Sequence, residues 1–197
     1  MLLEKIKPYR IILATQSPRR HFLMKEAGFN FDIQIPEGIE EIYPEQLVKE
    51  DIPIFLSELK ASWFKGRISN NEIVITADTI VILDNKVLEK PVSPEHAREM
   101  LQSLRGKTHK VITGVTLLSV EKKHSFSALS KVSFRDFSDE EIDYYIQIYK
   151  PFDKAGSYGA QEWLGYVGIE HIEGSYFNVM GLPIQSLYVE LEKFISS

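Results

Sequence analysis

Cysteine is absent from this 197-residue sequence, which excludes a disulfide framework, a thiolate nucleophile and a zinc–thiolate site. Long apolar runs are missing as well. Nothing approaches the roughly 20 consecutive apolar residues of a membrane span, and the stretch from Met1 to Pro8 is too weakly apolar for a signal peptide, so a cytoplasmic protein without a membrane partner is expected. Positive charge is not in excess: 23 Lys and Arg stand against 28 Asp and Glu, a formal charge of −5. General nucleic-acid binding needs a basic surface, so only a local basic pocket remains open. The five histidines, His21, His96, His109, His124 and His171, show no metal-binding spacing. They are expected to be structural or exposed, and any metal should be held by oxygen ligands. No G-x-x-x-x-G-K-S/T occurs, so this is no P-loop protein. Internal repeats and linkers are missing too. At 44% hydrophobic and 26% charged, residues 1–197 read as one globular domain with a sizeable core.

What is present is organised around Ile11-Ile12-Leu13-Ala14-Thr15-Gln16-Ser17-Pro18-Arg19-Arg20. The apolar run predicts a strand, and Phe22, Leu23 and Ala27 fall at helical spacing before Gly28. Ser17 suits an N-cap and Pro18 the first helical position. Arg19 and Arg20 then lie at a helix N-terminus, whose free N–H groups are already positive. They are either two solvated arginines behind a Ser-Pro cap or the walls of an anion site.

Phe31, Ile33 and Ile35 alternate with polar residues as in a half-buried strand, and an acidic loop with Glu37, Glu40 and Glu41 follows from Pro36 to Pro44. A helix is expected from Pro53 to about Lys65, with Phe55, Leu59 and Trp63 in one apolar row and Leu56 and Phe64 on the next. Lys60 lies between Leu56 and Phe64, either snorkelling past apolar neighbours or aimed at an anion. Ile73 to Leu83 predicts a strand buried on both faces, of the kind helices cover in α/β proteins. A carboxylate inside such a run, Asp78, is costly unless paired or bound to a cation. It is a turn-capping structural residue or a functional one, and the lack of a neighbouring turn residue favours function. Asp84-Asn85 signals a hairpin that brings Lys90 back towards the level of Asp78.

Ser93-Pro94 opens another helix, with Ala97, Met100, Leu101 and Leu104 inward and Gly106 closing it. Two strands are expected over 109–120 and 125–137. A Ser138/Glu141 capping box then starts a helix burying Ile142, Tyr145, Ile146 and Tyr149. Phe152 to Gly168 lacks periodicity and reads as a loop. A last helix begins near Pro183 and buries Ile184, Leu187, Leu191 and Phe194. Alternating strands and helices with some hairpins make an α/β fold with a mixed twisted sheet.

The run Leu-Ala-Thr-Gln-Ser-Pro-Arg-Arg resembles the signature of the Maf family of nucleoside triphosphate pyrophosphatases, with Thr15 keeping the hydroxyl of the usual serine. Further blocks match in the same order: Gly38-Ile39-Glu40-Glu41, Ala77-Asp78-Thr79, Leu88-Glu89-Lys90-Pro91, Asp153-Lys154-Ala155-Gly156, Tyr158-Gly159-Ala160-Gln161, and Gly174-Ser175-Tyr176 with Gly181-Leu182-Pro183. They span nearly the whole chain. The resemblance implies an elongated sheet with flanking helices in two lobes around a nucleotide cleft, related to the inosine triphosphate pyrophosphatases. It implies a hydrolase that converts a pyrimidine nucleoside triphosphate to the monophosphate and pyrophosphate, with water attacking the α-phosphorus.

By the same resemblance, Thr15, Ser17, Arg19 and Arg20 bind substrate, and Lys60 and Lys90 are catalytic cations on the polyphosphate. Glu41 and Asp78, with Glu40 as a further candidate, hold Mg²⁺ or Mn²⁺, and Asp78 accepts the proton of water. Arg19, Thr79 and Gln161 match the subgroup acting on dTTP and UTP, with modified pyrimidine nucleotides an open extension. After Gln161 the sequence departs from the pattern, because Glu162-Trp163-Leu164 replaces small residues. Two alternatives stay open, a non-catalytic nucleotide-binding regulator of septation and a phosphatase removing only the terminal phosphate. The oligomeric state is open too, a homodimer being one option.

Overall fold

A computed structural model describes residues 1–196. In chain order the elements are α1 (Leu2–Lys5), β1 (Arg10–Leu13), α2 (Pro18–Glu26), β2 (Asp32–Ile33), α3 (Ile52–Ser62), β3 (Glu72–Leu83), β4 (Lys86–Leu88), α4 (Pro94–Leu104), β5 (Thr108–Leu118), β6 (Lys123–Phe134), α5 (Asp139–Tyr149), α6 (Trp163–Gly168), β7 (Ile169–Glu173), α7 (Tyr176–Val179) and α8 (Ile184–Ser196). The strands form a mixed seven-stranded sheet in the order β2-β1-β3-β5-β6-β7, with β4 also pairing β3. β1 lies parallel to β2 and β3, whereas β4 runs antiparallel to β3 and β7 antiparallel to β6. Among the described residues no helix is long and apolar enough to cross a membrane.

Contacts divide the chain into two compact units. One holds Met1–Asp78, Thr113–Ala128 and the segment from Gly181; the other holds Thr79–Ile112 and Leu129–Met180. In the first, Ile12, Ala14, Ala61, Phe64, Val74 and Leu118 pack into one cluster. The parallel register sets Ile11 beside Ile73 and Leu13 beside Ile75, and the Ala14 N–H continues it to the Ile75 carbonyl at 2.9 Å. The polar turn after β1 is therefore held at the level of Ala77 and Asp78.

In the second unit, α4 and α5 cover their strands with Leu101, Leu104, Ile142 and Tyr145. The capping box of α5 is present, Ser138 accepting the Glu141 N–H and Glu141 the Ser138 N–H. The Asp84-Asn85 turn takes positive φ at both residues, 47° and 64°, as a two-residue hairpin of matching twist requires.

Several expected elements differ. Phe22 is 49% exposed, and α2 instead buries Leu23 and Met24. β2 is only two residues long and exposed, because four-residue β1 offers Phe31–Ile35 no longer partner. On α3 the buried side is Ile52, Pro53, Leu56, Ser57 and Ala61, so the Phe55–Leu59–Trp63 row is only half-buried. The stretch read as loop up to Gly168 contains α6, and β7 follows directly.

His109 lies in β5 at 2% exposure. Its Nε2 is 2.7 Å from the Tyr158 hydroxyl, while Nδ1 has no hydrogen-bond partner among the described residues. Burial pulls its pKa from 6.5 down to about 4. The unfolded chain thus binds this proton near pH 6.5 and the folded chain only near 4. The stability held above pH 6.5 is lost as pH falls through that window, by about 3 kcal/mol in all. Urea unfolding at pH 7 and pH 4.5 should show a drop that His109→Gln reduces by about 2 kcal/mol. An equal drop in both proteins would mean that other groups govern acid sensitivity.

Candidate functional site

In the first unit the turn after β1 is built on Thr15, only 8% exposed. Its hydroxyl accepts the Ser17 N–H at 3.2 Å and an Arg20 Nη1–H at 3.1 Å, and its carbonyl oxygen meets His21 Nε2 at 2.7 Å. Ser17 is the N-cap of α2 and Pro18 its first residue, but the Ser17 hydroxyl makes no capping bond. That oxygen and the helix N-terminus thus remain available to an anion.

Arg20 is fixed from three directions. Besides Thr15, its Nε donates to the Gly181 carbonyl at 2.7 Å and Nη1 to the Ala77 carbonyl at 3.0 Å. Desolvation lowers its pKa, Asp78 and Glu41 raise it, and Arg19 adds to the lowering. The guanidinium therefore sits within the field of both carboxylates and of the neighbouring arginine.

Asp78 and Thr79 interrupt the buried pattern of β3, the two half-buried positions in twelve residues. Lys60 reaches from α3 to Asp78, with Nζ 2.5 Å from Oδ1, and meets Glu41 Oε2 from the acidic loop at 3.0 Å. The Lys60 and Asp78 side chains are 14% and 13% exposed, that of Glu41 51%. Lys60 is thus no snorkelling surface lysine. One ammonium group holds two carboxylates that are remote in sequence.

Among the described residues no group of three or more His, Asp or Glu side chains gathers as a metal site. Two converging carboxylates do suit Mg²⁺, which commonly takes one or two carboxylates and completes its shell with water and substrate phosphate. Glu41 and Asp78 therefore fit such an ion.

Thr79, Lys90 and Gln161 belong to the second unit. Pairing of β4 with β3 ends at Leu88, opposite Val81, and exposed Lys90 lies two residues beyond. The adjacent Glu89 carbonyl accepts the Gly156 N–H at 3.2 Å, tying Lys90 to the segment that leads to Gln161. Gln161 is half-buried, in a turn closed by the Glu162 N–H on the Gly159 carbonyl at 3.1 Å. The anchoring carbonyls of Ala77 and Gly181 and the contact of His21 are not legible in the sequence beyond the motifs that contain Ala77 and Gly181.

Comparison with known proteins adds a lineage. A family model described as Maf-like protein matches residues 10–194. A protein of Phocaeicola vulgatus named dTTP/UTP pyrophosphatase is 53% identical over 192 residues, covering 98% of this chain and 100% of the relative. Proteins of the same name from Bacteroides thetaiotaomicron and Porphyromonas gingivalis are 49% identical over 192 residues and 46% over 195, covering 98% of this chain and 100% and 98% of theirs. A crystal structure of a nucleoside-triphosphatase / dITP/XTP pyrophosphatase from Mycobacterium abscessus aligns with a TM-score of 0.42 at 10% identity, over 93% of this chain and 95% of that one.

Proposed function

This chain belongs to the Maf-like protein family, and from that premise we propose that it is a nucleoside triphosphate pyrophosphatase hydrolysing dTTP and UTP to the monophosphate and pyrophosphate. The observation that carries this reading is the meeting of Lys60, Asp78 and Glu41 in one unit with the Ser17 turn and Arg20. It is supported by relatives named dTTP/UTP pyrophosphatase along essentially their whole length.

Asp78 accepts the proton of the attacking water, as a positioned carboxylate can. Lys60 turns its charge to the polyphosphate, joined by the open Ser17 hydroxyl, the N–H groups that start α2, and Arg19. Arg20, held by two carbonyls and Thr15, acts through its field and by fixing the turn. Cations aimed at the leaving pyrophosphate lower the barrier by stabilising charge that grows in the transition state. A bound Mg²⁺ or Mn²⁺, held by Glu41 and Asp78, supplies Lewis-acid neutralisation of phosphate charge. In the same reading Lys90 serves the phosphates, while Arg19, Thr79 and Gln161 offer hydrogen-bonding groups to the oxygens and N–H of uracil or thymine. Each such group left unpaired against the wrong base disfavours that base. The reaction is placed in the cytoplasm.

Hydrolysis with Mg²⁺ in ¹⁸O-labelled water is the test. UTP and dTTP should outrun ATP and GTP by at least about tenfold in kcat/KM, with the label in UMP or dTMP and none in pyrophosphate. Labelled orthophosphate with a diphosphate product would establish a terminal phosphatase, and no turnover of any triphosphate a non-catalytic binder.

A further inference from the structure

We propose that Glu162 is a positioning residue for Gln161, acting through a clamp with Lys154 and Tyr145 and thereby setting discrimination between pyrimidine and purine triphosphates. This rests on the base-reading role given to Gln161 above.

The clamp lies wholly within the second unit. Glu162 Oε1 takes the ammonium of Lys154 at 3.0 Å, and the Lys154 side chain is only 9% exposed. Its other oxygen accepts the Tyr145 hydroxyl. That hydroxyl in turn accepts the Gly159 N–H at 3.0 Å, while the Glu162 N–H returns to the Gly159 carbonyl at 3.1 Å. Residue 162 therefore grips residue 159 twice, once through backbone and once through Tyr145, and Gln161 sits inside the closed ring. Burial and the Glu162 charge push the Tyr145 phenol upward, so it remains the protonated donor that the ring needs.

The glycines complete the fit. A Cβ on Gly159 would stand 2.7 Å from Glu162 Cδ, and one on Gly165 2.4 Å from the Ala160 carbonyl oxygen, so carboxylate and helix α6 pack directly on the turn. Tyr166 Oη donates to the Gln161 carbonyl at 2.5 Å and Tyr176 Oη to the Ala160 carbonyl at 3.2 Å. The carbonyls of Gly159, Ala160 and Gln161 and the N–H groups of Gly159 and Glu162 are thus held, and the Glu162 side chain links the turn to both Lys154 and Tyr145. A misplacement near 1 Å of a recognition group can cost large factors in rate. The departure from the family pattern at Glu162 accordingly reads as a specificity device.

Glu162→Gln keeps the shape and deletes one of the two carboxylate charges on Lys154, Asp153 keeping the other at 2.7 Å, and Tyr145→Phe deletes the oxygen joining the Glu162 carboxylate to the Gly159 N–H. In each folded variant the ratio of kcat/KM for UTP over ATP should fall at least about fivefold, through a raised KM for UTP. The kcat at saturating UTP and the rate on ATP should stay within about twofold. A purely structural role would lower activity on both nucleotides together. An unchanged ratio in either folded variant overturns the proposal while leaving the base-reading role intact. A wild-type ratio near one overturns both. Should Glu162→Gln fail to fold, Tyr145→Phe decides alone, because the ring keeps its packing.

Discussion

Asp78→Asn is expected to lose at least about two decades of kcat, the usual scale for a positioned general base, while its urea midpoint moves little. Asp78 sits in a strand buried on either side of it, and its carboxylate is paired with Lys60 at 2.5 Å. An amide of the same shape fills the same space and still accepts a hydrogen bond from Lys60. Removing one partner of a buried ion pair is usually severe because it strands the other charge. Here Lys60 keeps Glu41 at 3.0 Å, so a stability loss of only about 1 kcal/mol follows. An amide cannot accept the proton of water, and it is a poor ligand for a hard cation. Measuring kcat at saturating UTP and Mg²⁺ together with the urea midpoint separates the two effects. Near-wild-type turnover in a folded variant would reduce Asp78 to an anchor for Lys60 and return the search for the base to Glu41.

How much could be read from the chain depends on whether the responsible contacts are local. The strand before Ser17, the helix behind Pro18, the hairpin at Asp84-Asn85, the capping box at Ser138 and the α8 stripe at Leu187, Leu191 and Phe194 are written within a few residues of one another, and each is present, although Ile184, expected in that stripe, is only half-buried at the first position of the helix. The Asp78 anomaly was legible for the same reason, as a carboxylate in an apolar run. Lys60 was ambiguous because its answer lies 18 residues away, at Asp78. Arg20 shows the same limit more strongly. Its anchors, Ala77 and Gly181, are 57 and 161 residues distant, and no periodicity marks a side chain destined for backbone carbonyls. α6 is not legible because six residues with two glycines carry no periodic stripe. β7 and its bulge at Ser133/Phe134 depend on pairing with β6 rather than on a pattern of their own.

The largest stability effect is expected from Gly114→Ala, a change of one methyl group away from the charged residues. A Cβ on Gly114 of β5 would lie 2.3 Å from the Pro53 carbonyl carbon and 2.4 Å from the Ile54 nitrogen. Those atoms are backbone at the start of α3 and cannot rotate aside, so the helix must lift from the sheet. Lifting it breaks two buried hydroxyl contacts: Thr76 Oγ1 to the Ser57 carbonyl at 2.7 Å and Ser57 Oγ to Thr116 Oγ1 at 2.8 Å. Overpacking strain costs roughly 1–3 kcal/mol and each polar group left buried and unpaired another 1–3 kcal/mol, so about 4 kcal/mol in total is expected. Melting should fall by roughly 10 °C in a chain of this size. The catalytic consequence follows from the same displacement, because Lys60 stands one helical turn beyond Ser57 and would be drawn away from Asp78. Gly66→Ala is the control. It meets nothing within 4 Å but has a φ of +73°, so it carries only the backbone penalty of about 1 kcal/mol. Its kcat should not change. Equal melting points for the two variants would show that α3 does not rest on Gly114. A destabilised Gly114→Ala with full activity below its melting point would show that the placement of Lys60 tolerates the lift.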